Sequence, residues 1–317
     1  MKVLQITNNY PTIKFPISGI FVKEQIDSLT ELGIDNTVYL INGREKGKIE
    51  YVKQIFRIKN HLKKHTYDII HCHHALSALT LFFSGYTKKN VVISFQNDPE
   101  NELGIKLFKW LQKKSIIQIF KNNSRFANNK KGFYLPNGVN SDLFHPIDRE
   151  EACKVTGLSS EKRYVLFISS NFMRHQKRYD RFSEIINLLR TKYEMDDIEE
   201  FKLINIKRDL IPYYFNSASL HLLTSDFEGS PNSVKEAMAC NIPVVATNVG
   251  NVAELLSEVQ GSYVSKTKSS EELARLAAIA LSDQVNNNGR EVIKKNGLDI
   301  DSVAKKILNI YKKILDY

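Results

Sequence analysis

The stretch Ser225–Gly250, SDFEGSPNSVKEAMACNIPVVATNVG, decides how this chain is read. An apolar run, LHLLT (220–224), leads into it, and a second, IPVVAT (242–247), lies within it. Between them 233–240 has helical spacing, so the order is strand, loop, helix, strand. Parallel strands need such a crossover. Ser230 suits the helix N-cap, and Pro231 the first helical position. The backbone N–H groups of Asn232, Ser233 and Val234 then stand at a positive helix end, a ready site for a phosphate. Glu228 precedes that end and Glu236 lies about one turn inside it. Two carboxylates beside a phosphate site can accept hydrogen bonds from sugar hydroxyls. A capped helix with solvent-facing glutamates fits the same spacing.

The same rhythm runs outward in both directions. Strand-like runs stand at 2–7, 36–41, 67–72 and 91–95, with helical patterns at 19–32, 51–65 and 75–83 between them. FYLPNGVNSDLFHPI (133–147) is rich in turn residues and marks a boundary. Beyond it, strands are expected at 164–169, 201–206, 220–224 and 242–247, and helices at 180–194, 233–240, 270–281 and 301–315. This organisation predicts an α/β chain of two doubly wound parallel sheets. The expected domains are 1–150, 151–298 and a terminal helix, 299–317, lying against either. Two such sheets side by side would leave a cleft at the carboxyl ends of their strands, where ligands bind.

Composition sets the class. A chain of 317 residues is long for one core. Its 42% hydrophobic and 25% charged residues suit a soluble globular protein. It holds no apolar run of ~18 residues and no secretory signal pattern at its start. The three cysteines, Cys72, Cys153 and Cys240, are scattered and suit a reducing compartment. Of the net charge of +10, nearly all falls in residues 1–150. Nucleic acid, an anionic membrane, an acidic substrate or a solvated face could each account for that.

EGSPNSVKEAMACNIPVVATNVG, from Glu228, resembles the Glu-x7-Glu signature of retaining glycosyltransferases of family 4, which have the GT-B fold. The likeness runs from Ala218 to Glu254. Weaker echoes lie in YPTIKFPISGIFVKEQIDSLTELGI, DIIHCH and LPNGVNSDLFHP. The resemblance implies two Rossmann-like domains facing a central cleft, the first binding acceptor and the second a nucleotide sugar. It implies that Glu236 holds the ribose hydroxyls and Glu228 those of the transferred sugar. Gly229 and Ser230 would approach the sugar, and Asn232, Ser233 and Val234 the diphosphate. Gly19 would let backbone come close to the donor phosphates. The family also places an arginine and a lysine after the first strand of the second domain, to neutralise the leaving diphosphate. Lys177 fits the lysine place. Asn171 stands at the arginine place, with Arg174 and Arg178 as nearby substitutes.

A second departure lies after VVISF (91–95), where many members have a histidine. Here Gln96, Asn97 and Asp98 follow, and glutamine cannot act as a base. These three and His73 are candidate contacts for acceptor or sugar; a turn capped by Asp98 before Pro99 is the plainer reading. The family's mechanism needs no protein base, since a departing phosphate oxygen can take the acceptor's proton.

Other signals point elsewhere. HCHH (71–74) puts His71 and His73 on one strand face and Cys72 and His74 on the other, a poor tetrahedron. DID (299–301) reads as a helix cap rather than a metal motif. LGIKLFKWLQKKSIIQIFKNN (103–123) is basic and amphipathic; it can lie on an anionic membrane or pack as an ordinary helix. The expectation is a cytoplasmic, metal-independent, retaining hexosyltransferase, peripheral on the inner face of the cell membrane. It would use a UDP or GDP sugar as co-substrate, with no further cofactor and no nucleic acid. Its acceptor would be a glycan or lipid-linked sugar in surface polysaccharide synthesis. The alternative is a catalytically inactive GT-B-like partner subunit.

Overall fold

The structure is a computed structural model that describes residues 1–97, 103–115, 117–123, 126–127, 131–169, 174–204, 206–283 and 285–315. The chain divides into two units: Met1–Gly138 with Ile300–Tyr317, and Val139–Asp299. The second therefore begins before residue 150. Val139 and Phe144, within the expected boundary segment, are buried in its core.

In unit 1 six parallel strands are described: β1 (Lys2–Thr7), β2 (Asp35–Leu40), β3 (Ile69–Cys72), β4 (Val91–Phe95), β5 (Ile117–Phe120) and β6 (Gly132–Tyr134). Their order is β2-β1-β3-β4-β5-β6. The last two did not register as strands in the sequence. β5 sits within the amphipathic stretch 103–123, whose helix covers only Ile105–Lys114. Alternation sends Leu4, Ile6, Ile70, Cys72, Ile93 and Phe95 to one face, under helices Ile49–Lys64, Ala75–Phe83 and Ile105–Lys114. Val3, Ile69, Val92 and Ile119 go to the other face. Helix Ile20–Glu31 and the terminal helix Ile300–Leu315 cover that face. Val303, Ile307, Ile310 and Ile314 repeat at helical spacing and are buried there. Burying each such side chain is worth about 1.5–3 kcal/mol, which fixes the helix on unit 1.

Unit 2 has five parallel strands among the described residues: β7 (Arg163–Ile168), β8 (Ile198–Leu203), β9 (Leu220–Leu223), β10 (Val244–Thr247) and β11 (Tyr263–Ser265). Their order is β11-β10-β9-β7-β8. Val165 and Phe167 pack against helices Tyr179–Thr191 and Ser270–Ser282, and Leu166 packs on the opposite side with Phe215, Val234 and Met238. Helices therefore cover both faces. The strand order reverses between β7 and β9, which are paired although β8 lies between them in sequence. Ligands bind doubly wound sheets at such a switch point, beyond the carboxyl ends of the strands.

Candidate functional site

The loops after β7 and β9 meet at this switch point. Asp226 N–H donates to Gln176 O at 2.8 Å, and the Thr224 hydroxyl to Lys177 O at 2.8 Å. Buried Arg181 donates to Thr224 O at 2.6 Å and to Asp226 at 3.0 Å. Arg178 is taken up by Asp180 and Asp226, so it is committed to the scaffold. Lys177 reaches across, its Nζ 2.6 Å from Glu228 Oε1. The Ser225 hydroxyl donates to the same oxygen at 2.8 Å. The two residues that the sequence named for leaving-group and sugar contact are thus in direct contact. Arg174 is exposed just before them, and Asn171 lies outside the described residues.

The helix after the loop spans Asn232–Ala239. Its N-cap is Pro231 and not Ser230, and no side chain caps it. Proline has no N–H, so the first helical donors are those of Asn232, Ser233 and Val234, which helix geometry leaves without intrahelical partners. Ser230 instead accepts from Lys235 Nζ at 3.0 Å. Lys235 is fully buried, so this contact ties the loop to the helix from inside. His221 supports this end from β9. Its Nδ1–H donates to Leu166 O at 3.2 Å, and its Nε2 accepts from the Ser233 hydroxyl at 3.0 Å. Burial pushes this imidazole down to about 4, so it is neutral.

Glycines bring two loops together. Gly250, after β10, has φ of 57°, and a Cβ there would stand 2.2 Å from Gly229 O. Asn251 N–H donates to that carbonyl at 3.2 Å. The 228–230 loop is therefore braced from behind by backbone. In unit 1, Gly19 starts helix Ile20–Glu31 at φ of 65°, where a Cβ would meet Asn9 O at 2.1 Å.

Glu236, one turn into its helix, has a partner that sequence reasoning missed. Arg208 Nη1 lies 2.6 Å from Glu236 Oε1, and the guanidinium sits 4.5 Å from the centroid of the Phe144 ring. Arg208 follows β8 in a segment without a motif, so only the fold reveals the pair. Both glutamates engage a cation through Oε1, and neither Oε2 makes a hydrogen bond among the described residues. Each therefore keeps an acceptor for a ligand hydroxyl.

The remaining candidates belong to unit 1. Gln96, after β4, accepts from Asn137 Nδ2 at 3.2 Å. Asn97 beside it is exposed, and Asp98 lies outside the described residues. His73 is buried, with its Nε2 2.7 Å from Gln5 Oε1 and its ring stacked on His71 at 4.2 Å. It packs inside the unit. Among the described residues no group of His, Cys, Asp or Glu is arranged to hold a metal ion.

Two Rossmann-like parallel-sheet domains in one chain define the GT-B class of fold. Within it, residues 199–299 match the family described as Glycosyl transferases group 1. A probable sucrose-phosphate synthase of Thermosipho melanesiensis is 30% identical over 208 residues, 58% of this chain and 48% of that protein. The chain thus spans about half the length of that relative. A putative teichuronic acid biosynthesis glycosyltransferase, TuaC of Bacillus subtilis, is 22% identical, over 86% of this chain and 87% of its own. Among solved structures, sucrose-phosphate synthase from Thermosynechococcus elongatus superposes with a TM-score of 0.79 at 14% identity, covering 100% of both chains. Anabaena Alr3699/HepE in complex with UDP-glucose superposes at 0.66 and 15% identity, covering 99% of this chain and 100% of that one. The fold is thus shown over the whole chain, and the group 1 match over residues 199–299.

Proposed function

We propose that the chain is a retaining glycosyltransferase of family 4 type, moving a sugar from a nucleoside diphosphate to a glycan or lipid-linked acceptor in surface polysaccharide synthesis. The observation that carries this reading is the Lys177–Glu228 pair at the β7/β9 switch point, beside an uncapped helix end. The N–H groups of Asn232, Ser233 and Val234 receive the diphosphate, and Lys177 neutralises the charge that builds on it as it leaves. Glu228 Oε2 accepts from a hydroxyl of the transferred sugar. Glu236 Oε2 accepts from the ribose while Arg208 holds Oε1. The bond from the anomeric carbon to the phosphate oxygen breaks, and a bond to the acceptor oxygen forms on the same face. The acceptor's proton passes to the departing phosphate. No protein base and no metal enter these steps.

The bound UDP-glucose of the Anabaena structure favours a uridine donor, and the name of the Bacillus relative favours a polysaccharide product. Unit 1 also suits an anionic membrane surface. Val52 and Phe56 are exposed on helix Ile49–Lys64 among Lys53, Arg57, Lys59, Lys63 and Lys64. No helix among the described residues is long and apolar enough to cross a membrane. The test is incubation of the purified chain with UDP and GDP sugars and a membrane glycolipid extract. The anomeric configuration of the product is then read by NMR. Transfer with the donor's configuration kept is expected. An inverted product overturns the retaining assignment. A folded chain that neither transfers nor hydrolyses any donor favours the inactive partner subunit.

A further inference from the structure

A recess of about 270 Å³ opens in unit 1 at the amino ends of β3 and β4. Doubly wound sheets bind their substrates at the opposite edge. Its walls are the last turns of helix Ile49–Lys64, the end of helix Ala75–Phe83 and the two loops that lead into the strands. Most of the lining is apolar, with Leu62, Ile70, Tyr67 and Tyr86 among it. The hydroxyls of both tyrosines are already engaged, by His61 Nε2 at 2.8 Å and Asn90 Oδ1 at 2.7 Å. Lys59, Lys63 and Lys88 also line the recess, and no carboxylate does. None of the three makes a hydrogen bond or ion pair among the described residues. Segments 49–68 and 75–90, which build the recess, hold seven lysines and arginines against Glu50 and Asp68 alone. Glu50 is buried and accepts from Gln54, and Asp68 accepts from the Lys2 backbone N–H at 2.7 Å. Positive charge gathered in this way, with the nearby acids engaged elsewhere, favours an anion.

The same surface carries apolar side chains into water. Val52, Phe56, Lys59 and Lys63 recur at i, i+4, i+7 and i+11, on one stripe of their helix. Val52 is exposed, and Phe56 is 68% exposed. Phe83, 59% exposed, immediately precedes Ser84 and Gly85 of the recess and stacks on Trp110 at 5.7 Å. A soluble anion would satisfy the lysines and leave these rings wet, whereas an anionic amphiphile satisfies both.

We infer that the recess seats the phosphate headgroup of an anionic phospholipid, with Val52, Phe56 and Phe83 entering the apolar boundary beside it. This deepens the membrane reading of unit 1 and rests on it. Lys59, Lys63 and Lys88 meet the phosphate oxygens, and the apolar lining meets the glycerol and the first acyl carbons. Docking by the amino edge leaves the carboxyl edge of the same sheet open.

The test is flotation of the whole chain with vesicles of phosphatidylcholine, with and without phosphatidylglycerol. Two triple variants are compared with the wild type: Lys59→Gln with Lys63→Gln and Lys88→Gln, and Lys53→Gln with Lys64→Gln and Lys89→Gln. The second removes the same charge from exposed positions outside the recess. The wild type should float only with phosphatidylglycerol, and the first triple should lose at least about tenfold more affinity than the second. Equal losses would show charge spread over the surface and overturn the recess while sparing the membrane reading. A wild type that floats with neither vesicle overturns both. Lys63→Gln and Lys88→Gln singly decide the matter if a triple variant does not fold. Glycerol 1-phosphate supplies the headgroup without acyl chains, and by calorimetry it should bind at least about tenfold more weakly than the vesicles. Binding as tight as to vesicles makes this a soluble-anion site and overturns the lipid. The donor site is read separately, by thermal shift with UDP and GDP.

Discussion

Arg208 holds Glu236 by a 2.6 Å contact, and Phe144 carries the guanidinium on its ring. The side chains are 18% and 9% exposed, so the pair is held largely out of water. Removing one partner of a largely buried pair costs about 3 kcal/mol. Glu236→Ala and Arg208→Ala should each lower the unfolding midpoint of unit 2, and the double variant should lose less than their sum. Glu236→Ala should also abolish stabilisation by the cognate nucleoside diphosphate. Additive losses in a double-mutant cycle would show that the contact carries no coupling.

Lys177→Ala should lower transfer by about 10²–10³-fold, the usual effect of losing one charge-stabilising donor in a transition state. Its donor KM should change much less than its kcat. A variant that loses only affinity would show Lys177 to be a binding residue. Lys177→Arg, which keeps the charge, should recover part of the rate.

Gly250→Ala should disable the site without touching a ligand. The new Cβ would collide with Gly229 O, and the backbone there is left-handed. The strain is of order 1–3 kcal/mol. The cheapest relief moves the loop that bears Glu228. Loss of nucleotide-dependent thermal shift with a near-normal circular dichroism spectrum is the expected signature.

Stability should fall on the acid side. Burial pushes His71 down to about 3, and His74 and His221 to about 4. In the unfolded chain an imidazole binds a proton below about 6.5. From there down to pH 4 the unfolded state holds more protons, so stability drops by about 1.4 kcal/mol per pH unit for each such histidine. Lys121 acts at the other end: folded it titrates near 7, unfolded near 10.4, so its burial penalty is relieved as pH rises between them. Urea unfolding at pH 4.5, 6.5 and 9 checks both. His221→Asn should flatten the acid slope of unit 2.

Much of this architecture was legible because parallel strands buried on both faces are near-continuous apolar runs. VVISF (91–95) and KVLQIT (2–7) announce themselves in that way. β5 did not, because IQIF lies in a lysine-rich stretch with helical spacing, and β6 has only three residues. In the site, Glu228 was named from its loop and Lys177 from the family resemblance. Arg208 was not, since its pairing with Glu236 depends on how β8 and β9 are ordered in the sheet. Ser230 was misread as the cap because its neighbour Pro231 tolerates either role. The buried polar layer of Gln5, His71, Ser94 and Lys121 is a cross-strand feature, and only register reveals it.

The terminal helix gives the chain a built-in order of assembly. Unit 2 is one continuous segment and can close as soon as it has been synthesised. Unit 1 cannot: the face of Val3, Ile69, Val92 and Ile119 has only helix Ile20–Glu31 as cover until Ile307, Ile310 and Tyr311 arrive from beyond unit 2. During translation, therefore, the second half should mature first while the first half waits with an apolar face open to chaperones. A fragment 139–299 should fold alone, whereas 1–138 should bind a hydrophobic dye until a peptide of residues 300–317 is supplied.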